Sequence, residues 1–235
     1  LVRSRGLGDV YKRQAQRPPT PMVPNIQAVQ APYYGDAPYR TPPPDLPSLL
    51  LKERIVYLGM PLVPAVTELI VAELLYLQYE DPEKPIRIYI NSYGTVGSET
   101  DAFAICDTLR YIKPPVHTIC IGLAAGMSAM LLSAGTKGCR ASLPNAKIVL
   151  QQPQSGARGQ ATDIQIQAQE IVKNKHMAIE ILARNTGQSP ERISKDMNRR
   201  FYMNPQEAKE YGLIDMVLES STTIEPKPTL ASGLG

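Results

Sequence analysis

Residues 119–135 read Ile119-Cys-Ile-Gly-Leu-Ala-Ala-Gly-Met-Ser-Ala-Met-Leu-Leu-Ser-Ala-Gly135. The apolar run 116–121 carries β-branched residues and reads as a buried strand. Gly122 and Gly126 bracket a turn, after which Met, Ala and Leu continue as a helix. Strand, glycine turn and helix form one unit, and the same grammar recurs on both sides of it. Upstream, 54–58 reads as a short strand. Residues 64–79 then read as a helix, with Val66, Leu69, Ile70, Leu74 and Leu77 on its apolar face and Pro64 in its first turn. Residues 86–90 read as a strand with Ile86, Ile88 and Ile90 on one face. A polar loop over 91–100 precedes a helix to about 112, ended by Pro114 and Pro115.

Downstream come a strand at 148–150, a Gly- and Gln-rich stretch and a long helix over 162–184. Thr162 is placed to cap that helix and Gly187 to end it. A short helix follows Ser189 and Pro190. Another opens with Asn204 as cap, Pro205 at its first position and Glu207 at its third, and stops at Gly212. Residues 213–218 read as a last strand. Alternating strands and helices predict an α/β fold with a parallel sheet. No internal repeat of fixed period is present.

The 235 residues are enough for one domain with a sizeable core, and with no Trp and two Phe that core must be aliphatic. The apolar runs are far short of a membrane span. The net charge of +3 comes from the first 21 residues, which hold five basic residues and one acidic; the rest holds 20 basic and 21 acidic. A near-neutral body proposes no nucleic-acid face. Cys106, Cys120 and Cys139 show no C-x-x-C spacing and no obvious pairing, which fits a reducing compartment and argues against a metal site.

Four segments are expected. Residues 1–14 have no helical or strand period and are set aside as non-native or leader sequence, either translated cloning sequence or the remnant of a transit peptide. Residues 15–47 are crowded with proline and form an extended arm, read either as a leader without structure or as an arm that docks through Tyr33, Tyr34 and Tyr39. The globular domain covers 48–219, and 220–235 form a loose tail.

The strand–glycine–helix unit resembles the nucleophile turn of the Clp protease proteolytic subunit family, ClpP. Four further segments resemble that family in the same order: Leu50-Leu-Lys-Glu-Arg-Ile-Val-Tyr-Leu-Gly59, Ile88-Tyr-Ile-Asn-Ser92, Gly159-Gln-Ala-Thr-Asp-Ile164 and Tyr202-Met-Asn-Pro-Gln-Glu-Ala-Lys-Glu-Tyr-Gly-Leu-Ile-Asp215. The resemblance implies a ClpP/crotonase-like α/β fold with parallel sheet layers and a protruding handle helix. It also implies a serine peptidase, and carries the serine position to Gly126, the histidine position to Gln151 and the aspartate position to Asp196. Glycine has no side chain to attack a carbonyl, and glutamine has no titratable nitrogen to relay a proton. Losing either group costs on the order of 10⁶ in rate. The loop Asn91-Ser-Tyr-Gly-Thr95 also departs from the family, with Tyr93 for a proline and Thr95 for a glycine. The amides of Thr95 and Met127 remain the candidate oxyanion donors, although a threonine resists positive φ.

The pattern is similar to the non-catalytic R-type subunit, ClpR, of cyanobacteria and plastids, and the leader Tyr33-Tyr-Gly-Asp36 is similar to the cyanobacterial form. The resemblance implies mixed heptameric rings with catalytic ClpP-type subunits, two rings to a barrel. It implies an AAA+ ATPase such as ClpC, unfolded protein as substrate, no cofactor, no metal, and a location in the cyanobacterial cytoplasm or the plastid stroma. It makes 162–184 the handle, with Thr162, Ile164, Ala168 and Ile171 at the ring–ring contact; the plain alternative is that Ile164, Ala168, Ile171 and Val172 pack on their own sheet. Tyr89 matches an ATPase-docking position and Arg87 departs from one. A working peptidase with atypical residues and a crotonase-like acyl-CoA site are the competing functions. His117 is expected in the core, His176 on the surface, and Ser128 is expected to face away from the turn.

Overall fold

The computed structural model describes residues 45–219 except 97, 154, 155, 157 and 158. The segments 1–14 and 220–235, and the arm up to residue 44, lie outside them. The end of the predicted arm is helical instead: α1, Leu46–Lys52, accepts Pro47 in its first turn, where no helical amide is needed.

The chain then alternates β1 (Ile55–Leu58), α2 (Pro64–Glu80), β2 (Ile86–Ser92), α3 (Thr100–Tyr111), β3 (Val116–Ala125) and α4 (Met127–Ser133). After β4 (Arg140–Ser142) and β5 (Lys147–Leu150) comes the long helix α5 (Ala161–Thr186). It is followed by α6 (Pro190–Met197), β6 (Phe201–Met203), α7 (Pro205–Tyr211) and β7 (Met216–Val217). Strands β1-β2-β3-β4-β7 lie side by side, all parallel, and β6 joins β5 antiparallel. This is the α/β fold expected of the family.

The central strand positions the site. β3 runs four residues past the predicted end at 121. Its first half pairs with β4 through Thr118–Cys120 and its second half with β5 through Leu123–Ala125. Gly122 permits this extension: a Cβ there would lie 2.6 Å from Asn91 Oδ1, the atom that accepts a hydrogen bond from the Leu123 amide at 3.0 Å. The Asn91 side chain thus supplies a partner where the β2–β3 register shifts.

The core is aliphatic, with Ile86, Ile88 and Ile90 buried on alternate positions of β2 and Leu58, Leu74, Leu77, Ile105 and Met130 fully enclosed. Three expectations are corrected. Leu69 is 57% exposed, because α2 carries apolar residues all round, including exposed Leu75, Tyr76 and Tyr79. Thr162 lies inside α5, whose N-cap is Gln160. The last strand is only two residues long. The caps at Ser189, Asn204, Gly187 and Gly212 stand as expected, the Asn204–Glu207 capping box included.

One buried ion pair ties the late elements together. Arg140, 4% exposed, places its Nε and Nη2 on Asp215 at 2.9 and 2.6 Å and its Nη1 on the Asn185 carbonyl at 3.0 Å. Hydrogen bonds from this guanidinium, opposed by partial burial, hold the Asp215 carboxyl below its ordinary range.

Candidate functional site

The tip of β3 is a sharp turn. Gly126 has φ +55° and ψ −118°, and its amide donates to the Val149 carbonyl at 2.8 Å, fastening the tip to β5. An L-residue resists this backbone, while glycine accepts it freely. β5 then delivers Gln151 to the same point. A Cβ built on Gly126 would meet Gln151 Nε2 at 3.0 Å and Cγ at 3.1 Å. The two residues that the sequence reading paired are therefore neighbours in space, 25 positions apart in the chain.

The loop after β2 forms the third wall. Gly94 has φ +100°, and a Cβ on it would lie 2.7 Å from the Ala125 carbonyl oxygen and 3.3 Å from the Met127 nitrogen. Only glycine fits so close to the β3 tip. The positive φ falls at Gly94 and not at Thr95; among the described residues Arg54 is the one non-glycine with positive φ. Threonine at 95 is thus no obstacle to the loop's shape. Leu62 donates to the Gly94 carbonyl at 2.8 Å and accepts from Val96 at 3.0 Å, so the bridge there does not use the Thr95 amide. The Met127 amide opens α4, where no intrahelical acceptor exists. Such backbone donors can polarise a carbonyl. Beside them, however, stands neither a nucleophile nor a titratable base.

Asp196 has other partners than the expected one. Its Oδ2 accepts from the Tyr211 hydroxyl at 3.0 Å, with Arg192 Nε 3.8 Å away, so it joins α6 to α7. Arg192 also lies over the Tyr211 ring, 5.1 Å from its centroid. Burial, and then Asp196, push the Tyr211 hydroxyl upward. β5 and β6 pair Ile148 with Met203, Val149 with Tyr202 and Leu150 with Phe201. Continued one step past its last pair, that register sets Arg200 against Gln151, while the Gln152 backbone amide donates to the Met197 carbonyl at 3.0 Å, one residue from Asp196. The sequence reading missed Arg200 because β6 is three residues long and has no periodicity to betray it.

No catalytic triad is assembled among the described residues. His117 is half-buried on β3 opposite Arg87, a correction to its expected place in the core. It stands nine residues before Gly126, about 30 Å along a strand. His176 is exposed on α5. Ser128 is fully buried and its Oγ has no hydrogen-bond partner, while Ser133 Oγ donates to the Met130 carbonyl at 2.6 Å. Among the described residues no three of His, Cys, Asp and Glu are grouped as a metal site requires, and no helix is long and apolar enough to cross a membrane.

The family model for Clp protease matches residues 43–221. The chain belongs to the Clp protease family. It is 63% identical over 216 residues to a Synechococcus elongatus protein named for its likeness to the ATP-dependent Clp protease proteolytic subunit, a match covering 85% of this chain and 95% of that one. It is 60% identical over 194 residues to the Clp proteolytic subunit 2 of Gloeobacter violaceus, covering 83% and 89%. It is 52% identical over 194 residues to the chloroplastic Clp proteolytic subunit-related protein 3 of Arabidopsis thaliana, covering 79% of this chain and 59% of that longer one.

Two further Clp-type surfaces were anticipated. Residues 161–170 of α5 are all exposed, with Ile164 at 41% and Ile166 at 65%; Ile171 is half-buried and Val172 is 53% exposed, so Ile164, Ala168 and Val172 do not pack on their own sheet. On β2 Tyr89 is half-buried and Arg87 exposed; on the edge strand β1 Tyr57, unremarked in the sequence, pairs in register with Tyr89 and is 51% exposed.

Proposed function

We propose that this chain is a non-catalytic structural subunit of an ATP-dependent Clp protease core. It shares heptameric rings with catalytic ClpP-type subunits, and two rings form the barrel. The observation that carries the reading is the Gly126–Gln151 contact. The tip of β3 bears no side chain, and the amide of Gln151 fills the space beside it. Neither group can attack a carbonyl or carry a proton, and the β5–β6 register, continued one step, supports a cation, Arg200, beside Gln151. The backbone donors of Thr95 and Met127 alone leave too little rate for a peptidase.

The exposed apolar turns of α5 support a handle that meets the opposite ring, through Ile164, Ala168 and Ile171. The relatives' cyanobacterial and chloroplast origins support a place in the cyanobacterial cytoplasm or the plastid stroma. An AAA+ ATPase such as ClpC would supply unfolded protein to the chamber. The test is labelling by a serine-reactive fluorophosphonate together with hydrolysis of a fluorogenic peptide. The isolated chain should do neither, and stoichiometric labelling of any serine overturns the reading.

A further inference from the structure

Positive charge gathers near Gln152 and Asn198, without a counter-ion among the described residues. Lys175 reaches in from α5 and donates to Gln152 Oε1 at 3.3 Å and to Asn198 Oδ1 at 3.0 Å, both neutral acceptors. Arg199 and Arg200 follow Asn198 and are exposed. Beyond Leu150 and Phe201 the ladder ends, and the Gln152 backbone amide donates to the Met197 carbonyl at 3.0 Å. The exposed Arg199 and Arg200 lie in the short connection between Asn198, which holds Lys175, and Phe201, which pairs with Leu150.

Among the described residues the ion pairs are Arg54–Glu80, Lys84–Asp81, Arg140–Asp215, Lys173–Glu170 and Arg192–Asp196. None uses Lys175, Arg199 or Arg200. Asp196, three residues before Arg199, is already engaged by Tyr211 and Arg192. The chain beyond residue 21 is close to neutral, so three unpaired cations within one small region are a local feature and not a reflection of overall charge.

We propose that Lys175, Arg199 and Arg200 form a carboxylate-binding rim that holds acidic peptide segments beside the Gly126–Gln151 turn without cutting them. The inference rests on the non-catalytic reading and deepens it. A guanidinium presents a planar fork suited to a carboxylate, and an ammonium held on neutral oxygens keeps its full charge for an anion. The carboxylate can come from Asp or Glu side chains or from a free C-terminus.

The test measures fluorescence anisotropy with the full chain and ten-residue peptides bearing an uncharged dye. One peptide is rich in Glu and one has Gln in its place, each with a free or an amidated C-terminus. The Glu peptide should bind more tightly than the Gln peptide, and the preference should fall as salt is raised. Amidation weakens binding only if the C-terminus is a source. Each single change, Lys175→Gln, Arg199→Gln or Arg200→Gln, should weaken the Glu peptide by about two- to fivefold, and the three together by on the order of tenfold or more. Circular dichroism of the triple variant checks that it remains folded. Equal binding of Glu and Gln peptides, no binding of either, or unchanged binding by a folded triple variant overturns the proposal. Mass spectrometry of the recovered peptide separates the two readings: cleavage overturns the non-catalytic function, whereas intact peptide with no acidic preference overturns the rim alone.

Discussion

Gly126→Ser places a hydroxymethyl group on a backbone at φ +55° and ψ −118°, where its Cβ meets Gln151 Nε2 at 3.0 Å and Cγ at 3.1 Å. Holding a non-glycine residue in so sparsely populated a conformation costs about 1–3 kcal/mol. Pushing Gln151 off its rotamer adds about 0.5–1.5 kcal/mol. Urea unfolding should therefore show the variant less stable by the sum of both costs. In a Gln151→Ala background only the backbone cost remains, so Gly126→Ser should cost less there by about 0.5–1.5 kcal/mol. Equal costs in the two backgrounds refute the claim that Gln151 occupies the space of the nucleophile. Chemistry supplies a second readout on the same series. Gly126→Ser alone should not react with fluorophosphonate, because an unassisted serine is a poor nucleophile at neutral pH. Gly126→Ser with Gln151→His supplies the hydroxyl and the base, but the imidazole then faces a cation that cannot accept its second proton. Losing the orienting acid of a triad costs about 10⁴ in turnover. Adding Arg200→Asp should recover a large part of that factor. If Arg200→Asp changes nothing while the double variant already labels rapidly, the placement read from the β5–β6 register is wrong.

Other outcomes follow from the same structure. Asp215→Asn leaves the Arg140 guanidinium buried without its partner and should cost about 3 kcal/mol near neutral pH. The folded carboxyl of Asp215 lies below its unfolded range, so its stabilisation is present above about pH 4 and lost as pH falls through the folded value. Wild type and Asp215→Asn should therefore converge in urea midpoint as the pH falls below about 4, and a constant gap refutes the linkage. Ile164→Asp and Ile166→Asp alter exposed positions on α5 and should change monomer stability by no more than about 0.5 kcal/mol. Native mass spectrometry with a catalytic partner should nevertheless show loss of the two-ring species; unchanged assembly would remove α5 from the ring–ring contact. Burial pushes up the thiols of Cys106 and Cys120, the latter to about 11, whereas Cys139 is only partly buried. A thiol reagent at pH 8 should modify Cys139 first and all three cysteines only in urea; rapid native modification of Cys120 contradicts its burial.

Much was legible in the chain before any fold was known. Helix caps are local chemistry, so Asn204-Pro205 with Glu207, Ser189-Pro190 and the glycines at 187 and 212 announced their helices correctly. Periodicity announced β2, because every second residue is isoleucine. It misled at Leu69, where an apolar residue on an apolar helix was assigned inward although α2 shows hydrophobic side chains on several faces. Burial of such a helix depends on neighbours that a period cannot reveal.

By itself, the sequence determined what the site lacks. A glycine at 126 and a glutamine at 151 carry no nucleophile and no base in any fold, and that conclusion needed only residue identity. Tertiary structure decided which residues face one another. β4, β6 and β7 are two or three residues long and exist because β3, β5 and β4 respectively offer an edge for pairing; no local signal marked β4 or β6, and pairing trims the strand read over 213–218 to two residues. Asp196 meets Tyr211 through the packing of α6 on α7, and Leu150 meets Phe201 through an antiparallel register across about 50 residues of chain. A one-residue slip in such a ladder reverses every side chain, and only the packed sheet fixes it.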